Sequence, residues 1–293
     1  MGTELDARGV DTRNALWSAL ALTAAPDVVR EVHADYLGAG ARVITTNTYQ
    51  ATLPALIRSG EDDAGAREVI AAGVRLAKEA AHRFETEHPE EPVLVAGGLG
   101  PYGAYLADGS EYTGAYDIDI PEDPGFREVH LPRIEVLVGE GVDLFALETL
   151  PRLDEAQALL AMVKDLAPQA ECWVSFQVRS GGTRLAGGTP LAEAAAWAAG
   201  EGAVVAVGVN CVAPDVVGRA LPVLRAATTK PLVAYPNAGE PYDPVTKSWR
   251  SADEEGGLAA LAPSWIAAGA RLVGGCCRTR PAQIRELAHA LGA

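Results

Sequence analysis

Two adjacent cysteines near the C-terminus, Cys276 and Cys277, are the residues of this sequence with the most distinctive chemistry. They follow a short apolar run at 270–273 and a Gly-Gly pair at 274–275. Successive side chains on a strand point to opposite faces, so neighbouring cysteines reach one centre only where a strand ends and the chain turns. Glycine gives the backbone the freedom to turn there. The pair is therefore either an apolar turn with two inert thiols or two thiolates that need a third ligand.

Seven apolar runs, each as long as a buried strand, alternate with helical patterns from residue 26 onward. Near-continuous apolar runs between helices predict a parallel sheet covered on both faces. Seven such units fit a (β/α)8 TIM barrel that occupies residues 1–293 as a single domain. An open doubly wound sheet is the alternative, but its nucleotide-binding glycine patterns are missing from the expected places. The runs lie at 42–47, 92–97, 143–148, 172–177, 204–210, 231–236 and 270–273.

In such a barrel the carboxyl ends of the strands converge on the active site, and three of the four cysteines follow strand ends. Cys211 follows the run at 204–210, so we expect it to meet Cys276 and Cys277 at one rim. Three thiolates repel one another and require a cation, for which zinc is best suited. Three protein ligands leave one position open, and an incoming thiol there would lose its proton. Cys172 begins a strand at the opposite end and is interpreted as a core residue.

A carboxylate is predicted at the same rim, since Glu148 ends the apolar run at 143–148. An unpaired carboxylate is costly in such a place. Glu148 either caps the next helix or pairs with a neighbouring base, or it binds an ammonium group, which we favour. The following helix is expected to be capped by Asp154.

Amide and aromatic side chains also fall at these strand ends. Asparagine is common in turns, but three at one rim are better explained by a binding site. The aromatic residues either pack as a lid or offer π faces to a cationic ligand. The candidates are Asn47, Asn210 and Asn237 among the amides and Trp17, Tyr49 and Tyr235 among the aromatic residues.

Two further features have weaker signals. The segment at 102–119 is long enough to cover an active site, or it is a plain surface excursion. Three histidines, His33, His130 and His289, fall in predicted helices and are interpreted as surface or packing residues. A helix is also predicted at 253–268.

Composition excludes several classes of function. The formal net charge of −15 argues against binding to nucleic acid or to an anionic membrane surface. Four cysteines in 293 residues suit a reducing cytoplasm better than a disulfide scaffold. The N-terminus lacks a signal-peptide pattern, and no apolar run approaches the ~20 residues of a membrane span. We expect a cytoplasmic protein that acts on small molecules; its oligomeric state is not indicated.

The sequences around the cysteines resemble the zinc signature of the homocysteine S-methyltransferase family. The similarity extends over essentially the whole chain and is closest to the branch that uses S-methylmethionine or S-adenosylmethionine as methyl donor. The motifs that carry it are Gly208-Val209-Asn210-Cys211, Gly274-Gly275-Cys276-Cys277, Thr3-Glu4-Leu5-x-x-Arg8-Gly9, Leu16-Trp17-Ser18-Ala19, Thr46-Asn47-Thr48-Tyr49-Gln50-Ala51, Glu148-Thr149 and Tyr235-Pro236-Asn237.

This resemblance implies a zinc-dependent methyl transfer that converts homocysteine into methionine. Cys211, Cys276 and Cys277 would hold Zn²⁺, with the homocysteine thiolate at the open position. Glu148 would bind the substrate ammonium group, and Thr45 with the neighbouring rim backbone would lie near the substrate carboxylate.

The methylsulfonium donor is expected against Trp17 and Tyr49. A related enzyme type would use betaine at the same zinc and homocysteine site. A non-catalytic barrel that binds zinc or thiols is the alternative from a different class. A cobalamin-dependent enzyme needs further domains, for which 293 residues leave no room.

The resemblance also predicts a departure at the N-terminus. Family members begin with an apolar strand that ends in Asp-Gly-Gly, ahead of a segment similar to residues 1–5. This sequence starts inside that motif, so the first barrel strand and its aspartate are expected to be absent. Either Met1 is an internal methionine or the strand has been lost. A barrel that lacks a strand exposes two edges or fills the gap from elsewhere, and we expect impaired stability and weak substrate binding.

Overall fold

The computed structural model describes residues 1–12, 14, 16–238, 242–243, 248–249 and 257–292. Strands and helices alternate in these residues, as the apolar runs predicted. The strands are β1 (Val43–Thr45), β2 (Leu94–Leu99), β3 (Leu144–Leu150), β4 (Cys172–Phe176), β5 (Val204–Asn210), β6 (Leu232–Tyr235), β7 (Tyr242–Asp243), β8 (Ser248–Trp249) and β9 (Ala270–Val273).

The helices cover the sheet and fill most of the intervals between strands. They are α1 (Gly2–Ala7), α2 (Ala21–Ala24), α3 (Pro26–Gly38), α4 (Leu53–Arg58), α5 (Asp63–Glu87), α6 (Tyr102–Leu106), α7 (Pro124–Gly139), α8 (Leu153–Leu166), α9 (Leu191–Gly200), α10 (Pro214–Ala227), α11 (Leu258–Ala267) and α12 (Pro281–Leu291), with 3₁₀ turns at Trp17–Leu20 and Ser110–Tyr112. Within the described ranges, no helix is both long and apolar enough to cross a lipid bilayer.

Seven of the described strands form one parallel sheet in which sequence neighbours lie side by side. The order is β1-β2-β3-β4-β5-β6-β9, while β7 and β8 form a separate antiparallel pair. Parallel neighbours joined through helices have all their carboxyl ends at the same edge. The fold is therefore α/β, and the sheet brings the ends of β3, β5 and β9 to the edge where the cysteines were predicted.

The sheet curls around a small interior cluster that is separate from the apolar layer under the helices. All seven strands contribute to this cluster, which requires a curved sheet. Its larger members are Trp173 from β4 and Tyr235 from β6. The cluster comprises Val43, Ala96, Leu144, Ala146, Trp173, Ala206, Val233, Tyr235 and Leu272.

The two end strands of the sheet, β1 and β9, are linked by contacts that α1 and α3 make with the segment just before α12. The Tyr36 hydroxyl of α3 donates to the Thr279 carbonyl, just before α12, at 2.5 Å. The Arg278 backbone N–H donates to the Thr3 hydroxyl of α1 at 2.8 Å. In the described residues β1 and β9 are not paired with each other, so helices rather than strand pairing connect the two ends. The absence of a family-type first strand stays a prediction.

One predicted helix cap is wrong, and another predicted helix begins outside the described residues. The helix after β3 begins at Leu153 with Arg152 at the N-cap, so the predicted cap by Asp154 was wrong. The Asp154 carboxylate instead accepts from its neighbour, the Glu155 N–H, at 2.9 Å inside the first turn. For the helix predicted at 253–268, residues 253–256 lie outside the described part of the chain, and α11 covers Leu258–Ala267.

Candidate metal and substrate site

Three cysteines meet at the carboxyl edge of the sheet. The Sγ atoms of Cys211, Cys276 and Cys277 all lie within 4.8 Å of one another. Cys211 and Cys276 are joined as a disulfide, with Cα atoms 5.6 Å apart, and Cys277 is a free thiol. Burial raises the pKa of the Cys277 thiol to about 11. Residues 65 positions apart in the sequence therefore form one sulfur cluster.

This cluster fits a zinc ion when its cysteines are reduced. Zn–S bonds of about 2.3 Å in a tetrahedral site separate the sulfur atoms by roughly 3.8 Å. The observed spread of up to 4.8 Å is close to that separation. Because thiolates, not disulfide sulfurs, are metal ligands, the disulfide and a three-thiolate metal site are alternative states of the same residues.

The segment 235–238, which continues β6 beyond the sheet, holds the backbone of all three cysteines. β6 lies between β5, which leads to the first cysteine, and β9, which leads to the other two. The sequence motif at 235–237 gave no sign of this role, because backbone pairing depends on the topology. The three bonds run from Cys211 N–H to the Tyr235 carbonyl (3.2 Å), from Cys276 N–H to the Pro236 carbonyl (2.7 Å) and from Cys277 N–H to Asn237 Oδ1 (3.2 Å).

A fully buried amide links the ends of β3 and β5. Asn210 Nδ2 donates to the Thr149 hydroxyl at 2.8 Å, and its Oδ1 accepts from the Thr149 N–H at 2.9 Å. The Ser175 hydroxyl of β4 also donates to Asn210 Oδ1, at 2.5 Å. Thr149 and Cys211 have φ values of 62° and 52°, which are strained for residues with a Cβ. Asn210, the residue before Cys211, therefore holds Thr149, the residue after Glu148, in a costly conformation.

The carboxyl group of Glu148 lies at the end of β3 and is 8% exposed. The Tyr235 hydroxyl donates to Glu148 Oε2 at 3.1 Å and accepts from Trp173 Nε1 at 3.0 Å. Burial away from water raises the pKa of Glu148 to about 7. A Cβ at Gly98 would lie only 3.3 Å from Glu148 Oε1, so glycine at this position leaves room for the carboxyl group. A strongly perturbed carboxyl group in such a setting is typical of functional sites.

Two aromatic rings continue the site on the side of β1. Trp17 and Tyr49 pack edge to face, with ring centroids 6.4 Å apart and planes at 74°. Tyr49 lies directly against Gly100, where an added Cβ would be 2.6 Å from the ring. The Tyr49 hydroxyl hydrogen bonds to the Thr149 side chain, and burial raises the pKa of Tyr49 well above its usual value. The aromatic wall thus reaches the residue that follows Glu148.

The remaining predicted residues lie at the end of β1. Thr45 is its last residue and is half-buried. Asn47 accepts from the Ser18 hydroxyl at 2.7 Å and donates to the Ser18 carbonyl at 2.8 Å, which anchors the turn that carries Trp17. The amides of all three rim asparagines bind neighbouring segments, and contact between these side chains and a substrate stays a prediction.

Sequence reasoning missed several residues that shape this site. Gly98 and Gly100 admit the Glu148 carboxyl group and the Tyr49 ring, and their clustering in Gly97-Gly98-Leu99-Gly100 after an apolar run was the available signal. Ser175 gave no signal, because its partner Asn210 is distant in the sequence. Ser18 lies in a motif that carries the resemblance, but its bonds to Asn47 could not be predicted from it.

The chain is similar to known proteins along nearly its whole length. The family model described as homocysteine S-methyltransferase matches residues 1–291. A homocysteine S-methyltransferase of Escherichia coli (strain K12) is 46% identical over 98% of this chain and 92% of the relative. Homocysteine S-methyltransferase YbgG of Bacillus subtilis (strain 168) is 39% identical over 98% and 91%.

Solved structures show the same similarity. The metallated form of the homocysteine methyltransferase MmuM from Escherichia coli superposes with a TM-score of 0.86 at 44% identity, covering 98% of this chain and 92% of that one. The oxidised form of MmuM gives a TM-score of 0.87 at 43% identity, with 99% and 93% covered. The sulfur cluster, the fold and the sequence agree, and the chain belongs to the homocysteine S-methyltransferase family.

Proposed function

We propose that this protein transfers a methyl group from a methylsulfonium donor, S-methylmethionine or S-adenosylmethionine, to L-homocysteine and so produces methionine. The observation that carries this proposal is the cluster of three cysteine sulfurs within 4.8 Å at the carboxyl edge of the sheet. The names of relatives at 46% and 39% identity support homocysteine as the acceptor.

The metal in the proposal is Zn²⁺, held by reduced Cys211, Cys276 and Cys277. The all-sulfur donor set suits zinc, and a relative at 44% identity has been solved in a metallated form. When bound, zinc would lower the pKa of an incoming thiol and make it a nucleophile at neutral pH. Because the same sulfurs form a disulfide when oxidised, the active form needs a reducing compartment such as the cytoplasm.

Residues at the neighbouring strand ends would bind the ammonium and carboxylate groups of homocysteine. The ionised Glu148 carboxylate would accept hydrogen bonds from the substrate ammonium group. Tyr235 holds Glu148 Oε2 at 3.1 Å, so the carboxylate is oriented before substrate arrives. Thr45 at the end of β1 is the proposed neighbour of the substrate carboxylate. Asn210 keeps the ammonium position and the sulfur cluster at a fixed separation through its bonds to Thr149.

The transfer itself is a displacement at the methyl carbon. The thiolate electron pair forms the new S–C bond, and the old S–C bond breaks with its electron pair left on the donor sulfur. The sulfonium cation thus becomes a neutral thioether, and the proton of the homocysteine thiol is released to solvent. No acid or base is needed at carbon, so proximity and alignment carry the rate. The rings of Trp17 and Tyr49 would attract the sulfonium charge.

The architecture proposed for this activity is a single (β/α)8 barrel. The interior cluster, to which all seven strands of the main sheet contribute, supports a barrel, since side chains from every strand of a flat sheet would not contact one another. The carboxyl edge of the sheet would then be the barrel mouth, where active sites of this fold lie.

A methyl-transfer assay tests the function. Reduced, zinc-loaded protein is incubated with homocysteine labelled in its carbon chain and with S-methylmethionine, S-adenosylmethionine or betaine as donor, and labelled methionine is quantified. We expect labelled methionine, formed from the labelled homocysteine, when a sulfonium donor is present. Transfer from betaine alone would favour the betaine-using alternative, and no transfer from any donor would favour a non-catalytic zinc- or thiol-binding barrel.

A further inference from the structure

A fully buried arginine, Arg133, lies on α7 behind the aromatic side of the site. Burial of a guanidinium group is costly unless its donors are satisfied. Burial lowers the pKa of Arg133 only to about 10, so the group is charged at neutral pH. Its Nη1 donates to the carbonyls of Thr48 (3.2 Å) and Tyr49 (2.6 Å) and its Nη2 to that of Gly100 (2.9 Å), all in two rim loops, while Nε finds no hydrogen-bond partner among the described residues.

These three carbonyls belong to Tyr49 itself, to the residue before it and to a glycine that its ring contacts. Thr48 and Tyr49 follow β1, and Gly100 follows β2 and lies directly against the ring. One planar group with several donors in a fixed arrangement thus clamps both loops. The clamp sets where the ring stands relative to Trp17 and Thr149.

The clamp is itself held from behind. Arg133 Nη2 lies 2.9 Å from His130 Nδ1, and burial lowers the pKa of His130 to about 4, so the ring is neutral and accepts at Nδ1. Its other nitrogen, Nε2, then carries the proton and lies 3.5 Å from Glu155 Oε1, a polar contact rather than a hydrogen bond. Glu155 also accepts from the Tyr102 N–H at 2.6 Å and from the Tyr116 hydroxyl. The segment at 102–116 is therefore bound to Glu155 and the rim loops to Arg133, and His130 lies between these two buried groups.

We propose that Arg133 is a positioning residue for the methyl donor: it fixes Tyr49 as the wall that holds the sulfonium group in line with the acceptor sulfur. His130 and Glu155 keep the guanidinium in place. This inference rests on the proposed function and adds to it a residue that does not touch either substrate. His130, interpreted from the sequence as a surface or packing residue, gains a role as a hydrogen-bond acceptor in the network.

Steady-state kinetics of Arg133→Met test the proposal. The variant leaves three rim carbonyls without their donor, so the KM for the sulfonium donor is expected to rise roughly tenfold or more. The KM for homocysteine should stay within about twofold, because Glu148 and the cysteines are held by other contacts. Arg133→Lys keeps the charge but not the planar set of donors, and we expect an intermediate donor KM.

A matched control and a double mutant separate positioning from general destabilisation. Leu137→Ala removes a fully buried side chain of the same helix that faces Gly97 in the middle of β2, and it should lower stability without changing the donor KM. In a Tyr49→Ala background, Arg133→Met should raise the donor KM by less than about twofold, because the wall is already gone. An equal donor KM rise in Leu137→Ala, or an unchanged donor KM in both Arg133 variants, would overturn the proposal.

Hydrogen exchange measured by mass spectrometry tests the clamp without activity. Amides at 46–52 and 100–104 should exchange faster in Arg133→Lys than in the wild type, with β4 and β5 unchanged. Unchanged exchange in both loops contradicts the clamp. A wild-type protein that transfers no methyl group refutes the proposed function instead, and this measurement still decides whether Arg133 fixes the loops.

Discussion

The two free cysteines, Cys172 and Cys277, show how differently the two ends of the sheet are used. Both thiols are buried, and burial raises their pKa values to about 12 and about 11. Cys172 begins β4 and packs in the apolar layer under the helices. Cys277 follows β9 and lies within 4.8 Å of two other sulfurs. Burial and the raised thiol pKa therefore do not distinguish the core thiol from the thiol of the proposed metal site, whereas the position along the strand does.

The carboxyl edge also carries costs that indicate function. Thr149, Cys211 and Arg278 have φ values of 62°, 52° and 63°, a region that costs residues with a Cβ of order 1 kcal/mol or more each. The Glu148 carboxyl group is buried beside them with a raised pKa. Strained backbone persists only where the surrounding structure holds it, and it clusters at active sites and ligand contacts.

Replacing a cysteine by serine should change activity most at the carboxyl end of the strands and least at the opposite end. Cys276→Ser is expected to lower kcat/KM for methyl transfer by more than roughly 100-fold, because a serine hydroxyl is a poor substitute for a thiolate ligand. Cys172→Ser, at the other end, should retain kcat/KM within about twofold. Equal losses in the two variants, measured on folded protein, would remove the distinction between the two ends.

Glutamates at the two ends of the sheet should also differ in their effect on homocysteine binding. Glu148→Gln is expected to lower kcat/KM by roughly 100-fold, about 3 kcal/mol, mainly through the KM for homocysteine, since the ammonium loses its counter-charge. Glu171, exposed just before β4 at the opposite end, provides the matched control, and Glu171→Gln should leave both constants unchanged. A Glu148→Gln variant with a normal homocysteine KM would contradict the ammonium site.

Both the KM for homocysteine and the stability should depend on pH through Glu148. With its pKa raised to about 7, about half of the Glu148 side chains are protonated at neutral pH. The wild-type KM for homocysteine should therefore rise as pH falls from 8 to 6.

The folded state binds the Glu148 proton more tightly than the unfolded state. The stability from neutral Glu148 is therefore complete below about pH 4.5 and lost as pH rises through about 7.

Glu148→Gln is the control for both effects. Its KM, although high, should not show the wild-type change between pH 8 and 6. Chemical unfolding should show that the wild type loses stability relative to Glu148→Gln as pH rises across that range. Parallel pH profiles for the two proteins would show that another group titrates.

A smaller effect is expected from the link between β3 and β5. Asn210→Ala releases Thr149 from its left-handed conformation and should lower kcat/KM by roughly tenfold, with bound zinc retained. Ser175→Ala removes only one hydrogen bond to the same amide and should cost less. Loss of zinc in Asn210→Ala would show that the amide supports Cys211 rather than the spacing between the two substrate contacts.

The sequence predicted the frame of the molecule because apolar runs and helix signals are local. Seven strands were expected within one or two residues of their observed bounds, and the sheet order then follows from right-handed, sequential connections. The meeting of Cys211 with Cys276 and Cys277 could be anticipated for the same reason, since it depends on strand ends rather than on side-chain packing.

The hydrogen bonds inside the site could not be predicted. Asn237 was noticed for its place at a strand end, but its bond to the Cys277 N–H depends on where the backbone runs beyond β6. Arg133 drew no attention, because a charged residue within a helix usually faces solvent. Such pairings join residues far apart in the sequence, and no local pattern encodes them.

Metal content distinguishes a three-thiolate zinc site from a cluster of inert thiols. Purified under reducing conditions and analysed by inductively coupled plasma mass spectrometry, the wild type and Cys172→Ser should each contain about one zinc per chain. Cys276→Ser should contain close to none. A reduced wild-type protein without zinc, or a Cys276→Ser variant that retains it, would contradict a three-thiolate zinc site at the carboxyl edge of the sheet.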